Sequence, residues 1–300
     1  MRRVSSLKRI HKDWILYLML LPGMLYFVIF HIIPIVNMKL AFQDYRIIGE
    51  NVWVGMKHFQ QLFSSPAFKD VLTNTVIIST MKIIFIFPIP ILVSLLVNEL
   101  RFGPYRKYVQ SVSYLPHFLS WVVIAGIWIT LLDPVDGGVN VIRNFFQLPS
   151  LDYMTSKEHI RWVLVYSEMW RSAGWDSILY LAAILKINPS LYEAARIDGA
   201  TTLQQMRYIT IPALMSTVVT LFILNLGFFM SAGFDQVFNL MNDSVLSVID
   251  ILDTYVYRIG ILNGQYSYAT AASLFKGVIG LVLILGTHFM SKRLTGKGVW

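Results

Sequence analysis

Lys82, Glu168, Arg171, Asp176 and Lys276 each stand inside a long apolar run of this 300-residue sequence. A charge at the centre of a lipid layer costs about 2.5 to 3.5 kcal/mol on insertion scales, so each needs a partner or a water-filled path. Glu168, Arg171 and Trp175 lie at i, i+3 and i+7 and therefore share one helical face. Two readings stay open for that face: an internal ion pair between Glu168 and Arg171, or a polar path through the membrane. Asn225, close to Phe228 and Phe229, offers a similar mix of polar and aromatic groups, with plain core packing of the two Phe as the alternative.

Covalent chemistry finds little support. No G-x-x-x-x-G-K-[ST] occurs, so the chain has no P-loop to cradle ATP. The six histidines, at 11, 31, 58, 117, 159 and 288, show no metal-ligand spacing. Cys is absent, which excludes thiol nucleophiles, disulfides and Cys-held metals. Ser79-Thr80-Met81-Lys82 and Ser5-Ser6-Leu7-Lys8 match S-x-x-K but lack its companion motifs, and read as chance matches. Asn242-Asp243-Ser244 fits a sequon that has no meaning outside a eukaryotic secretory route.

The elements that carry these residues follow from composition. Hydrophobic residues make up 56% of the chain and charged ones 14%, with mean hydropathy +0.59, against about 25% charged in soluble domains. The apolar runs reach about 20 residues or more, enough to cross a bilayer as helices. Six spans are expected, near Trp14 to Val36, Thr73 to Val97, Tyr108 to Leu131, Ile160 to Leu185, Tyr208 to Ala232 and Tyr268 to Met290. The fold class is all-α, polytopic and a single domain over 1–300. The first run is too long for a signal-peptide core and lacks a small-residue cleavage site, so it reads as a retained span. Pro22, Pro34, Pro88, Pro90 and Pro116 suggest kinked helices around a cavity.

Orientation follows from Lys and Arg in short loops. Arg2, Arg3, Lys8, Arg9 and Lys12 in the tail 1–13, Arg101, Arg106 and Lys107 after the second span, and Lys292, Arg293 and Lys297 in the tail 291–300 mark the cytoplasmic side. The net charge of +8 thus answers to anionic lipid and not to nucleic acid.

The polar segment "LYEAARIDGATTLQQMRYITIPAL", between spans four and five, is then cytoplasmic. Ser190 and Glu193 have capping-box spacing, Gly199 can take positive φ and end a helix, and Thr201 and Gln204 repeat the box. Two short helices broken at Gly199 are expected over about 188–207. Helices this short are marginal alone and need a surface to pack on.

The combination Glu193-Ala194-Ala195, Asp198-Gly199-Ala200 and Ile209-Thr210-Ile211-Pro212 resembles the EAA loop of the membrane permeases of ATP-binding-cassette (ABC) importers of type I. "YLMLLPGMLYFVIF", "AFQDY", "WVGMKHFQQLF", "SYLPHFLSWVVIAGIW", "GFDQVFNLMN" and "LDTYVYRIG" extend the likeness over nearly the whole chain, and to the oligosaccharide branch. Met206 departs from the pattern, standing where an aromatic is common, and Asn37-Met38 replaces a Tyr-Gly-like step.

The resemblance implies a coupling helix seated in a groove of an ATPase subunit. Glu193, Ala194, Ala195, Ile197, Asp198, Gly199, Leu203 and Met206 would be its contact residues. It implies these partners: a second, non-identical permease, two copies of a cytoplasmic ATPase that binds the ATP and Mg, and an extracytoplasmic binding protein. The chain itself would hold no cofactor and do no catalysis. Lys82, Glu168, Arg171, Trp175, Asn225, Phe228 and Lys276 become candidates for the substrate path, with Trp175 a platform for a sugar ring. Cations outnumber anions among the five intramembrane charges, which suggests acidic, uronate-containing oligosaccharides. Alternatives are a permease for glycerol phosphate or peptides, and an ion-coupled carrier, which lacks the expected inverted repeat.

Overall fold

The computed structural model describes residues 14–100 and 103–295. The basic tail 1–13, Arg101 and the side chains of the tail 291–300 fall outside what is described. The described chain is almost wholly helical, as the apolar runs require: a backbone in lipid has no water to bond, so it satisfies itself within helices.

The first helical run, α1 (Trp14–Phe42), is 29 residues long. It passes through a π-turn at Val28–Ile32 just before Pro34. Pro34 has no N–H and its ring crowds the carbonyl four residues back, and the wider turn relieves both. A hairpin of two-residue strands, β1 (Gln43–Asp44) and β2 (Val52–Trp53), pairs Gln43 with Trp53. The short helix α2 (Lys57–Ser64) leads into α3 (Pro66–Ile86), whose N-cap Ser65 accepts from the Phe68 N–H. Beyond Phe87, α4 (Pro88–Glu99) completes a 34-residue span.

The third expected span is not one straight helix. α5 (Gly103–Tyr114) and α6 (Trp121–Leu131) meet at 104° across a 3₁₀ turn. Pro116 and a fresh N-cap at Ser120, which accepts from the Val123 N–H, force the break. Beyond the end of α6 Asp133 caps the turn that follows, accepting from the N–H groups of Asp136 and Val135, which hold its carboxyl below the usual carboxylate range. The eight-residue α7 (Gly138–Phe145) follows.

The central helix α8 (Ile160–Ile184) is 25 residues long, enough to span. Among the described residues four helical runs are long and apolar enough to cross a membrane, or five with the bent pair, and α8 is not among them. It carries Arg161, Glu168 and Arg171, all half-buried, and Asp176, which is exposed on the cavity wall; partners within the protein make the first three tolerable. α9 (Pro189–Ile197), α10 (Thr202–Gln205) and a π-turn at Met206–Thr210 feed α11 (Ile211–Gly227). That π-turn again stands just before a proline, Pro212. Three short helices, α12 (Phe234–Leu240), α13 (Leu246–Ile249) and α14 (Leu252–Tyr257), precede α15 (Tyr266–Thr295).

The largest core cluster joins Ile78 of α3, Ala125 of α6, Ile160, Val163 and Leu164 of α8, Val237 and Leu240 of α12 and Ile249 of α13. Polar braces pin it. Arg161 donates to the Val248 carbonyl (3.0 Å) and to Asn74 Oδ1 (2.8 Å), and Asn74 Nδ2 donates to the Ser247 carbonyl (3.0 Å). Around α8 the body is thus fixed as one packed unit, and the cavity opens along its flank.

Candidate functional site

A cavity of about 460 Å³ is lined by α3, α4, Trp121 of α6, α8, α11 and the segment after α11. Its wall includes Ser79, Lys82, Glu168, Asp176, Asn225 and Phe228. This volume is within the range of small-ligand pockets.

Lys82 organises the wall. Its Nζ lies 3.5 Å from the Glu168 carboxylate and donates to the Ala232 carbonyl (2.7 Å) and to Gln236 Oε1 (2.5 Å). Gln236 is fully buried, and its Nε2 donates to the Leu164 carbonyl (2.6 Å) and Ser167 Oγ (2.8 Å) of α8. Gly233 turns the chain between α11 and α12 at φ 98°, and a Cβ there would meet Lys82 Nζ at 2.9 Å. The ammonium therefore joins α3, α8 and the turn into α12.

Glu168 takes Lys82 as its ion partner, not Arg171. The i, i+3 spacing is right for a pair with Arg171, but the Arg171 guanidinium stacks over the Trp121 ring at 5.1 Å. Trp175 lies outside the cavity wall, and its ring is stacked on His117 at 4.5 Å and 4°. That face of the indole is covered by His117, and the ring as a whole is 38% exposed. Lys276 is also elsewhere, with Nζ 2.5 Å from Asp253 Oδ1. Of the seven path candidates the structure gathers Lys82, Glu168, Asn225 and Phe228 in one wall, and leaves Arg171, Trp175 and Lys276 outside it. The charged groups lining the cavity, among the described residues, are Lys82, Glu168 and Asp176, so the expected cation excess is not collected there.

Sequence reading missed Ser79, Gln236 and His117. Ser79 is 5% exposed, and its Oγ has no partner among the described residues although it lines the cavity. Gln236 has a legible signal, a polar residue in "GFDQVFNL" directly after a glycine that can turn.

The segment 188–207 forms the expected broken helix pair. Ala200 N–H donates to the Ala195 carbonyl (2.8 Å) and Gly199 N–H to the Arg196 carbonyl (3.1 Å), a Schellman closure with Gly199 at φ 76°. Thr201 and Gln204 make the expected capping box. The first cap differs: Asn188 accepts from the Ser190 N–H (3.1 Å), and Ser190 lies inside α9. Pro189 at the first helical position, with its fixed φ and no N–H to satisfy, starts the helix two residues early.

Glu193, Ala194, Ile197, Asp198, Gly199 and Leu203 are exposed, whereas Ala195 and Met206 are half-buried. Ile197 is 87% and Leu203 75% exposed, an unusual display for large apolar side chains on a polar segment. Behind this face Tyr192 OH and Thr210 Oγ1 lie 2.9 Å apart, and Gln205 Nε2 donates to the Ala200 carbonyl (2.9 Å). The first ties α9 to the turn that leads into α11, and the second ties α10 to the loop before it.

Residues 86–296 match the family model described as the binding-protein-dependent transport system inner membrane component. The polygalacturonan/rhamnogalacturonan transport system permease protein YteP of Bacillus subtilis (strain 168) is 40% identical over all of this chain and 94% of its own length. A solved bacterial ABC transporter involved in the import of the acidic polysaccharide alginate has a chain 40% identical to this one. It superposes with a TM-score of 0.89 over 96% of this chain and 98% of that one. A chain of the alginate transporter in complex with its alginate pentasaccharide-bound periplasmic protein gives 0.90 at 39% identity, over 98% and 99%.

Proposed function

The chain belongs to the binding-protein-dependent transport system inner membrane components, and from that premise we propose that it imports oligosaccharides, acidic ones included, delivered by an extracytoplasmic binding protein. It is a multi-pass membrane subunit of an ABC importer and not an enzyme. ATP hydrolysis falls to a separate chain.

We read the whole chain as one permease domain with six spans, α8 supplying the one that is too charged to read as apolar. Both termini are then cytoplasmic, and the pair α9 and α10 faces an ATPase. The observation that supports the coupling role is the exposed face of Glu193, Ala194, Ile197 and Leu203, backed by a polar bond to the turn that leads into α11. A second, non-identical permease and two ATPase copies complete the importer in this reading. ATP-driven closure of those copies would move α9, and through it α11 and the cavity wall.

Acidic cargo is supported by the substrates of the similar proteins, polygalacturonan/rhamnogalacturonan and alginate. Charge in the cavity of this chain does not add to it. One cation and two carboxylates, with Ser79, Asn225 and Phe228, suit the hydroxyls and apolar faces of a neutral sugar as well. Cationic groups for a uronate would then come from the second permease.

Co-purification of the assembled importer, followed by a screen of neutral and uronate oligosaccharides for stimulation of ATPase activity, tests this. Stimulation by uronate oligomers with their binding protein is expected. Stimulation by neutral oligomers alone would overturn the acidic cargo, and no stimulation by any sugar would overturn the oligosaccharide reading.

A further inference from the structure

Between the end of α6 and the start of α8, α7 has the sequence "GVNVIRNF", with no acidic residue. Its inner side is bolted to the body. Asn140 is fully buried, its Nδ2 donates to the Asp133 and Leu151 carbonyls (both 2.9 Å), and its Oδ1 accepts from the Leu151 N–H (2.9 Å). Val139 packs on the main core cluster. The attachment is close: Gly137 N–H donates to the Asp133 carbonyl (3.1 Å), and a Cβ on Gly137 would meet that oxygen at 2.4 Å.

The other side is bare. Val141, Ile142, Phe145 and Phe146 are all exposed, Phe145 at 82%. Asn140 fixes which side faces out, so this display is built in and is not the accident of a loose loop.

We propose that α7 is an interfacial anchor whose Val141, Ile142, Phe145 and Phe146 lie in the boundary between lipid headgroups and acyl chains. Its depth is set by covalent distance. Only Leu132 to Gly137 separate it from the last residue of α6, and the Asp133 bonds fold those six residues back onto the helix end. α6 itself exposes apolar side chains up to its end, Val122, Ile127, Ile129 and Leu131 among them. Leu131 is the junction, since its Cδ1 would lie 3.3 Å from a Cβ at Gly138. A short amphipathic helix with aromatic residues on one face and no acid is suited to lie in a membrane interface.

A transient protein partner fits less well. A binding protein leaves in each cycle, and two adjacent phenylalanines would then be returned to water every time, which is unfavourable for apolar surface. Lipid keeps the face covered throughout. The placement does not depend on which sugar is carried.

The absence of Cys from this chain makes a direct test practical. Phe145→Cys and, separately, Phe146→Cys would carry a nitroxide in the assembled importer in liposomes, with any cysteines of the partner subunits replaced by serine. Lys157→Cys, on the exposed part of the same loop, is the aqueous reference. Oxygen concentrates among acyl chains and a nickel chelate stays in water. The expected result is an oxygen-to-nickel collision ratio several-fold above that at position 157, unchanged by binding protein. Low collision with both reagents would show the face covered by the second permease. High nickel collision that falls on adding binding protein would show a docking surface. Either outcome overturns the proposal.

Discussion

Lys82 is the residue on which the cavity wall turns. An ammonium inside a membrane protein is stable only while its donors are used, and here a carboxylate, a carbonyl and an amide oxygen use them. Removing one member of a fully buried pair costs about 3 to 5 kcal/mol, largely because the other charge is left uncompensated, and less is expected here, where Lys82 and Glu168 are 14% and 21% exposed. Lys82→Met should therefore lower the thermal stability of the purified importer clearly, and adding Glu168→Gln should recover part of the loss. A coupling energy on the order of 0.5 to 3 kcal/mol from the double-mutant cycle is expected for side chains in contact. Strict additivity would mean that the two groups do not interact. None of this pairing was legible in the sequence: spacing reports only neighbours on one helix, and Gln236 is 154 positions from Lys82 along the chain. The same limit explains the Glu168–Arg171 pair that did not form. Local spacing allowed it, but Trp121 from another helix holds Arg171 and Lys82 from a third holds Glu168.

At the scale of elements, the segment 188–207 was nearly all legible. Its caps, its break and its exposed face are encoded within a few residues of one another, and Gly199 adopts the positive φ that its type allows. The cap moved to Asn188 because Pro189 competes for the first helical position. The bend of 104° in the third span was half legible: Pro116 announces a break, but the angle depends on what α5 and α6 pack against. The coupling role gives sharp expectations here. No atom lies within 4 Å of a Cβ placed on Gly199, so space is not the constraint there, and φ is. Gly199→Ala should destabilise the pair by about 1 kcal/mol and lower sugar uptake per ATP, with Glu193→Lys lowering it further while membrane insertion is kept. Tyr192→Phe, which removes only the hydroxyl facing Thr210, should reduce uptake per ATP without weakening ATPase binding. Uptake assays with parallel ATPase rates on all three would check this, and normal uptake per ATP in Glu193→Lys and Gly199→Ala would remove the coupling role.

The whole molecule is incomplete by itself. None of the apolar residues in the 18-residue window that defines α1 is buried within the chain, and the helix pair at 188–207 shows Ile197 and Leu203 to its surroundings. Lipid can cover α1, as can a second permease. Lipid cannot cover a polar helix pair outside the spans, and in the proposed reading an ATPase covers it. The cavity, too, is a half-site in this reading, with one wall from each permease. Composition announced the membrane and the missing P-loop announced a separate ATPase. The cargo was not announced, because the charges that suggested it do not share one cavity.

The most direct test of the central claim is uptake of a labelled uronate oligosaccharide into liposomes carrying this chain, its second permease and the ATPase, with binding protein outside and ATP inside. Uptake should require ATP and the binding protein and fall to background with Glu193→Lys. Uptake that persists without ATP, or without the ATPase subunit, would contradict the account.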